Sequence, residues 1–410
     1  MRFKQKFVLV IFLSLCFISL IGYFIEPSIP QYMGVSNRYP IPAVAVRETS
    51  KCQNMTKPYK ILIWTNTHNV FPFYKKIFQK DKIPNSCPSC KCQFTTNKSE
   101  VTTSEVVVFS LLNLEEGFPN YRSPDQIWAV YNDEAPLRSY AWPIHGLNTL
   151  KDKFNMTITY RYDSDVVHPY GEIASHPNPP TFTELQWKIT QKMKTKHLPI
   201  AWVVSHCDAY SKRDVIVKEM QQYMSIDIYG KCGKLDCGKS PNNEEMGQSC
   251  WDLIEEKYYF YLAFENSYCH DYVTEKLYDA LDRFVVPIVF AKLDTGYVQR
   301  LPPRSFINVA DYDSVQELTT YLMKLINNPR DYESYFNWKL QYKVLLRNNL
   351  ECDLCDRLHK GFKPRTYDIK NWWFKKTCLD YFTKKYIPMP KRPSKVNLSK
   401  RFSTNSNSTI

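Results

Sequence analysis

From residue 200 onward the chain alternates short apolar runs with helix-spaced segments, an order that few folds accept. "IAWVVS" (200–205) is followed by "RDVIVKEMQQYM" (213–224), whose Val217, Met220 and Met224 share one helical face, and then by "SIDIYG" (225–230). "YYFYLAF" (258–264) is followed by a helix expected from about Asp271 to Phe284, and then by "VVPIVF" (285–290). Strand–helix–strand, twice over, predicts a parallel sheet covered by helices, a Rossmann-like half. Upstream, "YKILIWT" (59–65), "EVVVFSLL" (105–112) and "QIWAVYN" (126–132) are further strand candidates. The polar, proline-rich "HPYGEIASHPNPP" (168–180) reads as a boundary.

Parallel sheets of this kind bind ligands at the carboxyl ends of their strands. The stretch "FENSYCHDYVTEKL" (264–277) occupies such an end. Along the helix expected there, Val273, Leu277, Ala280, Leu281 and Phe284 form the apolar face, which leaves Glu275 and Lys276 off it near the start. A helix N-terminus offers unpaired N–H groups to phosphate, and Lys276 adds a full charge. Glu275, Asn266 and Glu265 can hydrogen-bond hydroxyls. Cation, helix end, carboxylate and amide together fit a nucleotide sugar better than a bare anion. The bland reading of the same residues is a capped helix with a surface Glu–Lys pair.

The whole chain narrows the setting. Of its 410 residues 44% are hydrophobic and 15% aromatic, enough for a large core and against disorder. Arg2, Lys4 and Lys6 precede nineteen uncharged residues, "FVLVIFLSLCFISLIGYFI" (7–25), close to the ~20 that span a bilayer. The positive flank assigns residues 1–6 to the cytoplasm, 7–25 to a signal-anchor span and 26–57 to a proline-containing stem, with the body in the lumen. Five Asn-x-Ser/Thr sequons, at Asn54, Asn97, Asn155, Asn397 and Asn407, all follow the span. Twelve of the thirteen cysteines lie outside it, an even number suited to disulfides in an oxidising compartment. The net charge is +13, and thirteen Lys and Arg against two Asp fall between Lys360 and Arg401. A luminal body leaves such a tail no nucleic-acid partner, so 361–410 reads as a solvated basic tail.

At this point "FYLAFENSYCHDYVTEKLYDAL" followed by "VVPIVF" resembles the donor-binding signature of the α1,3-fucosyltransferases (glycosyltransferase family 10): an aromatic-x-Leu-x-Phe-Glu-Asn-Ser segment, Asp-Tyr-(Val/Ile)-Thr-Glu-Lys, then Val-Pro. "TITYRYDSDVVHPYG" (157–171), "AWVVSHCDAYSKRDVIVKEM" (201–220), "SIDIYGKCG" (225–233) and "CDLC" (352–355) are similar to further segments in the family's order, so the resemblance covers roughly 58–380. It implies an α/β GT-B architecture of two Rossmann-like domains with parallel sheets. Residues 58–185 would take the acceptor and 195–360 the GDP-fucose. The implied reaction is fucose transfer to the 3-hydroxyl of N-acetylglucosamine with inversion.

Motif matching assigns Arg213 and Lys276 to the departing diphosphate. Ser205, Asn266, Tyr272 and Glu275 would lie around fucose, ribose and diphosphate. The family's base lies in an aromatic-x-x-Glu-Ser-Pro-like segment, which matches Glu134 in "VYNDEAPLRS" with Ala135 as a departure. Asp133 is adjacent, and alternation lets only one of the two face the site. Asp163-Ser164-Asp165 mimics the metal–nucleotide pair of metal-dependent transferases, but the family segment is not a metal site. No obligate bound metal is implied, and stimulation by Mn²⁺ or Mg²⁺ would be compatible with that, because cations also act on GDP release. The family ties its C-terminal Cys-x-x-Cys to the N-terminal domain. Cys352 and Cys355 are therefore expected to bond within the 52–92 group, with Cys87 and Cys90 as candidates. Cys232, Cys237 and Cys250 are expected to pair locally or with Cys207 or Cys269.

"IYGKCGKLDCGKS" with Cys250, and "IKNWWFKKTC", look most like the plant and invertebrate subgroup, many of whose members modify the N-glycan core. The expectation is a Golgi-membrane enzyme with a glycoprotein N-glycan acceptor. A Lewis-type enzyme on terminal N-acetyllactosamine or LacdiNAc is the alternative. Readings of other classes are a glycan-binding protein on a decayed transferase fold and a metal-dependent transferase using another donor. Oligomeric state has no signature in the sequence.

Overall fold

The computed structural model describes residues 58–65, 92–139, 147–238, 247–293, 298–346 and 350–385. The tail, span and stem expected over 1–57, Cys87, Cys90 and the sequons at Asn54, Asn397 and Asn407 lie outside them. Among the described residues no helix is long and apolar enough to cross a membrane.

Two all-parallel sheets organise these residues. The first contains β1 (Tyr59–Ile63), β2 (Cys92–Thr95), β3 (Val106–Ser110), β4 (Ile127–Asn132), β6 (Met156–Thr159) and β7 (Val166–Val167), in the order β2-β1-β3-β4-β6-β7. β5 (Lys151–Phe154) pairs elsewhere, and β8 (Gly171–Ser175) leads into helix α1 (Phe182–Met193). The second sheet contains β9 (Leu198–Val203), β10 (Ile226–Tyr229), β11 (Tyr258–Phe264), β12 (Val286–Phe290) and β13 (Ile307–Asn308), in the order β10-β9-β11-β12-β13. Both orders are doubly wound, and in the second the direction of winding reverses between β9 and β11. A crevice therefore opens at the carboxyl ends of those two strands.

Helices cover both faces of the second sheet, which is why its strands read as continuous apolar runs. Phe260, Leu262 and Phe264 of β11 pack with α1, α2 (Arg213–Met220) and the later helices α5 (Val315–Asn327) and α6 (Pro329–Glu333). Tyr261 and Ala263, on the opposite face, pack with α3 (Gln248–Lys257) and α4 (Glu275–Asp282). β14 (Tyr342–Leu346) pairs antiparallel with β8. There Gly171 lies so close to α4 that a Cβ would meet the Tyr278 ring at 2.4 Å, so only glycine lets the strand approach.

The first sheet takes its cover from the far end of the chain. Leu350, Leu354 and Leu358 of α7 (Leu350–His359) pack on Ile61, Val106, Ala129 and Ile158. On the other face Tyr367, Ile369, Trp373, Phe374 and Cys378 pack with Val107, Phe109, Trp128 and Val130. β15 (Tyr367–Asp368) pairs antiparallel with β5. The expected solvated tail from 361 is thus corrected: Tyr367, Ile369, Trp373, Phe374 and Cys378 within it are buried in the core. Likewise α7, expected to belong with the second half, completes the first.

Cys355 bonds Cys92, fixing α7 to the edge of the first sheet, and Cys352 is also disulfide-bonded. The expectation that this Cys-x-x-Cys reaches back to the 52–92 group holds for Cys355, with Cys92 as partner. Of the pairings left open, Cys237 and Cys250 bond locally and Cys232 bonds Cys207. Cys269–Cys378 was not foreseen.

Two lysines, Lys196 buried and Lys339 half-buried, close helix ends beside the second sheet. Lys196, 6% exposed, donates to the carbonyls of Glu255 (2.6 Å) and Tyr258 (2.7 Å) at the end of α3, and Lys339 donates to the Leu281 carbonyl in the last turn of α4. Cations suit helix C-termini. Burial nevertheless pulls the Lys196 ammonium down to about 7, with Glu255 opposing and Lys192 assisting. The unfolded chain then binds the extra proton between about pH 7 and 10.5. Lys196 therefore costs stability at the low end of that window, and this cost is relieved as pH rises, by up to ~1.4 kcal/mol per pH unit. Urea midpoints measured at pH 7 and pH 9 should rise less in Lys196→Gln than in the parent chain. Equal rises would contradict a depressed lysine.

Candidate active site

The carboxyl ends of β4, β9 and β11 converge, and each contributes a different chemistry. β11 delivers Glu265, which is 1% exposed. Its carboxylate accepts from the Thr274 N–H (2.8 Å) and hydroxyl (2.8 Å) and pairs with Lys276 Nζ at 3.2 Å. Expected among the hydroxyl-binding groups, Glu265 instead faces inward and braces the turn before α4. Burial raises its pKa, and Lys276 opposes that rise.

This brace explains why α4 starts at Glu275 and not at Asp271. Asp271 sits at φ 55°, in the left-handed region, and its carboxylate accepts from the Tyr162 N–H at 3.1 Å. Thr274 is the N-cap, yet its hydroxyl makes no capping bond because Glu265 draws it away. Lys276 follows, its Nζ 3.0 Å from Glu275 Oε1 and 2.7 Å from Thr274 Oγ1. Burial alone would lower the Lys276 pKa, but the carboxylates of Glu265 and Glu275 outweigh it, and the ammonium is held above its usual range. The side chain is 22% exposed and that of Glu275 50%, so both can reach a ligand in the crevice.

β9 leads to Ser205 and then to Arg213. Ser205 is exposed beside Gly230, whose φ of 86° and 2.8 Å approach of a would-be Cβ to the Val204 carbonyl require glycine. Arg213 opens α2 after Lys212, itself left-handed at φ 56°. Its guanidinium is buried and donates to the carbonyls of Phe264 (2.6 Å) and His206 (2.9 Å). Burial lowers its pKa and Glu265 opposes. Arg213 Nε and Asn266 Oδ1 are buried without a hydrogen-bond partner among the described residues.

β4 brings the other half. Glu134 lies two residues beyond its end and accepts from the Tyr272 hydroxyl at 2.5 Å, a bond that crosses from the first sheet's loops to the second's. Asn266 Nδ2 lies 3.5 Å from the same hydroxyl. Burial, and then Glu134, holds the Tyr272 phenol well above its usual range, so it stays a donor. Asp133 points the other way: it is buried and accepts from Tyr131 at 2.8 Å. Of the adjacent carboxylates, Glu134 is therefore the one that faces the crevice. Its surroundings are cationic. Burial, Arg138 and Arg213 lower the His206 pKa, with Lys231 adding to this and Glu134 opposing. Arg138, Lys231 and His206 gave no signal in the sequence.

The Asp-Ser-Asp carboxylates are engaged within the protein. Asp163 takes a two-pronged pair from Arg161 (2.9 and 2.6 Å) and the Trp372 indole N–H. Asp165 accepts from the Thr157 N–H and the Tyr367 hydroxyl. Of the sequons, Asn97 is exposed, whereas Asn155 is half-buried and its side-chain oxygen accepts from the Trp128 N–H at 2.7 Å.

Two family models match the chain: "Fucosyltransferase, N-terminal" over residues 56–171, and "Glycosyltransferase family 10 (fucosyltransferase) C-term" over 192–373. The α-(1,3)-fucosyltransferase C of Drosophila melanogaster is 36% identical over 315 residues, 70% of each chain. The glycoprotein 3-α-L-fucosyltransferase A of the same organism is 33% identical over 305 residues, 73% of this chain and 57% of that one. A 3-galactosyl-N-acetylglucosaminide 4-α-L-fucosyltransferase of Bos taurus is 29% identical over 375 residues, 90% of this chain and 94% of that one.

Proposed function

The chain belongs to the family 10 glycosyltransferases, the fucosyltransferases, and from that premise we propose that it moves L-fucose from GDP-fucose to the 3-hydroxyl of a GlcNAc residue with inversion. Glu134 takes the acceptor O3 proton while O3 attacks the anomeric carbon. The bond from that carbon to phosphate oxygen breaks, and its electron pair leaves with GDP. Arg213 and Lys276 receive the charge that develops there. The observation that carries the reading is the hydrogen bond from Tyr272 to Glu134, which sets a carboxylate from one sheet against the donor loop of the other. The two sheets read as the halves of a GT-B enzyme. Engagement of Asp163 and Asp165 by Arg161, Trp372, Thr157 and Tyr367 supports charge stabilisation by side chains, without an obligate metal.

For the acceptor we favour the core GlcNAc of glycoprotein N-glycans. The two segments resembling the plant and invertebrate subgroup support this, as does the name of one Drosophila relative, a glycoprotein 3-α-L-fucosyltransferase. Transfer to terminal N-acetyllactosamine is the second reading, supported by the name of a Pongo pygmaeus relative, a 4-galactosyl-N-acetylglucosaminide 3-α-L-fucosyltransferase. Residues 7–25 would anchor the chain in the Golgi membrane with its disulfide-bonded body in the lumen. A glycan array incubated with the detergent-solubilised full chain and GDP-fucose, with and without excess EDTA, tests donor, acceptor and metal together. Core-type N-glycans should be labelled in both conditions. Labelling confined to N-acetyllactosamine antennae would favour the second acceptor, and loss of all labelling in EDTA would reject side-chain stabilisation of the leaving group.

A further inference from the structure

Residues 369–379 touch both halves of the candidate site at once. At one end, Trp373, 1% exposed, donates its indole N–H to Ser139 Oγ at 2.9 Å. Ser139 lies in the turn that follows Glu134, closed by hydrogen bonds from the Arg138 and Ser139 N–H groups to the Ala135 carbonyl. At the other end, Cys378 is bonded to Cys269 within the donor loop. The His270 N–H donates to the Thr377 carbonyl (3.0 Å) and the Leu379 N–H to the Tyr268 carbonyl (2.9 Å), so a short antiparallel ladder flanks the disulfide. Between the two ends Tyr160 fills the gap. Its ring centroid lies 5.5 Å from Trp373 and 5.2 Å from Tyr272, the residue that donates to Glu134. Two loops from different sheets thus share one covalently fastened support.

We propose that this C-terminal strap sets the position of Glu134 relative to the donor loop, with Trp373 and Ser139 as positioning residues for the reaction. The proposal rests on the reading of Glu134 as the base. Positioning effects are steep, since a displacement of about 1 Å costs on the order of a hundredfold in rate. Each end of the strap is held by a different means, indole hydrogen bond and disulfide. Loosening the Ser139 end frees the turn carrying Glu134 while the donor loop stays tethered, so turnover should suffer and donor affinity should not.

Ser139→Ala and Trp373→Phe, made in the full chain alone and in a Glu134→Gln background, test this. Ser139→Ala is the mild change that keeps the test open should the indole variant fold poorly. In the parent background each should lower kcat about tenfold or more, with the KM for GDP-fucose within about twofold. In the Glu134→Gln background the residual rate should fall no further, because a positioning residue acts through the group it positions. A merely structural role predicts losses that multiply with that of Glu134→Gln, and that result, or an unchanged kcat in both single variants, would overturn the proposal. Parent-like turnover in Glu134→Gln alone would instead overturn the base assignment, and the strap's role in holding that base with it.

Discussion

Glu134→Gln should lose about 10²- to 10⁴-fold in kcat while folding as the parent does. The amide keeps the side chain's shape and an oxygen for the Tyr272 hydroxyl, which lies 2.5 Å from Glu134 Oε1. What it loses is a lone pair basic enough to take the acceptor proton as the new bond forms. Asp133 cannot substitute, because Tyr131 and the local packing hold it on the opposite side of the strand end. Circular dichroism melts within a few degrees of the parent would accompany the loss. Turnover within about tenfold of the parent would remove Glu134 from the role of base.

Lys276→Met should lose both turnover and stability, and the two losses can be separated. In the proposed reaction the ammonium meets the leaving diphosphate, where removing one fixed stabilising group costs roughly 10²- to 10³-fold. It also neutralises Glu265, which is 1% exposed. Breaking a buried pair on one side costs up to about 3–5 kcal/mol, and uptake of a proton by Glu265 relieves part of that. Replacing both partners is far milder. The double variant Lys276→Met/Glu265→Gln should therefore melt closer to the parent than Lys276→Met while remaining as slow. Recovered turnover in the double variant would show that Lys276 acts through stability alone.

These two residues also show what the sequence carried. The strands ending in Phe264 and Phe290 were legible because continuous apolar runs with helices between them have one economical solution, a parallel sheet buried on both faces. Lys276 was legible because it falls off the apolar face of the helix it begins. The start of that helix was not: a left-handed Asp271 and a Thr274 hydroxyl diverted to Glu265 are tertiary facts, and the apolar pattern runs through them unbroken. Glu265 was misread for the same reason, since alternation says which side a residue takes but not what waits there.

The strap was hidden for a different reason. Trp373 and Ser139 are 234 positions apart, and Cys269 and Cys378 are 109 apart. Such contacts leave no periodicity, and the lysines around "NWWF" made the segment look solvated. Its three consecutive aromatics and a cysteine beyond them were the available signal. In the structure Tyr160, Tyr272 and Trp373 form one aromatic seam between the sheets. The stretch at 264–277 is thus only half of the candidate site, and its partner arrives from the other sheet under a clasp made by residues 369–379.

The most direct measurement is the product. The full chain in detergent, given GDP-fucose, a GlcNAc-bearing N-glycopeptide and excess EDTA, should yield a fucosylated glycopeptide. NMR should show an α linkage to O3 of GlcNAc, formed with inversion from the β-linked donor, and Glu134→Gln should leave the acceptor unmodified over the same period. Fucose on a different hydroxyl, or equal product from the Glu134→Gln chain, would contradict the account.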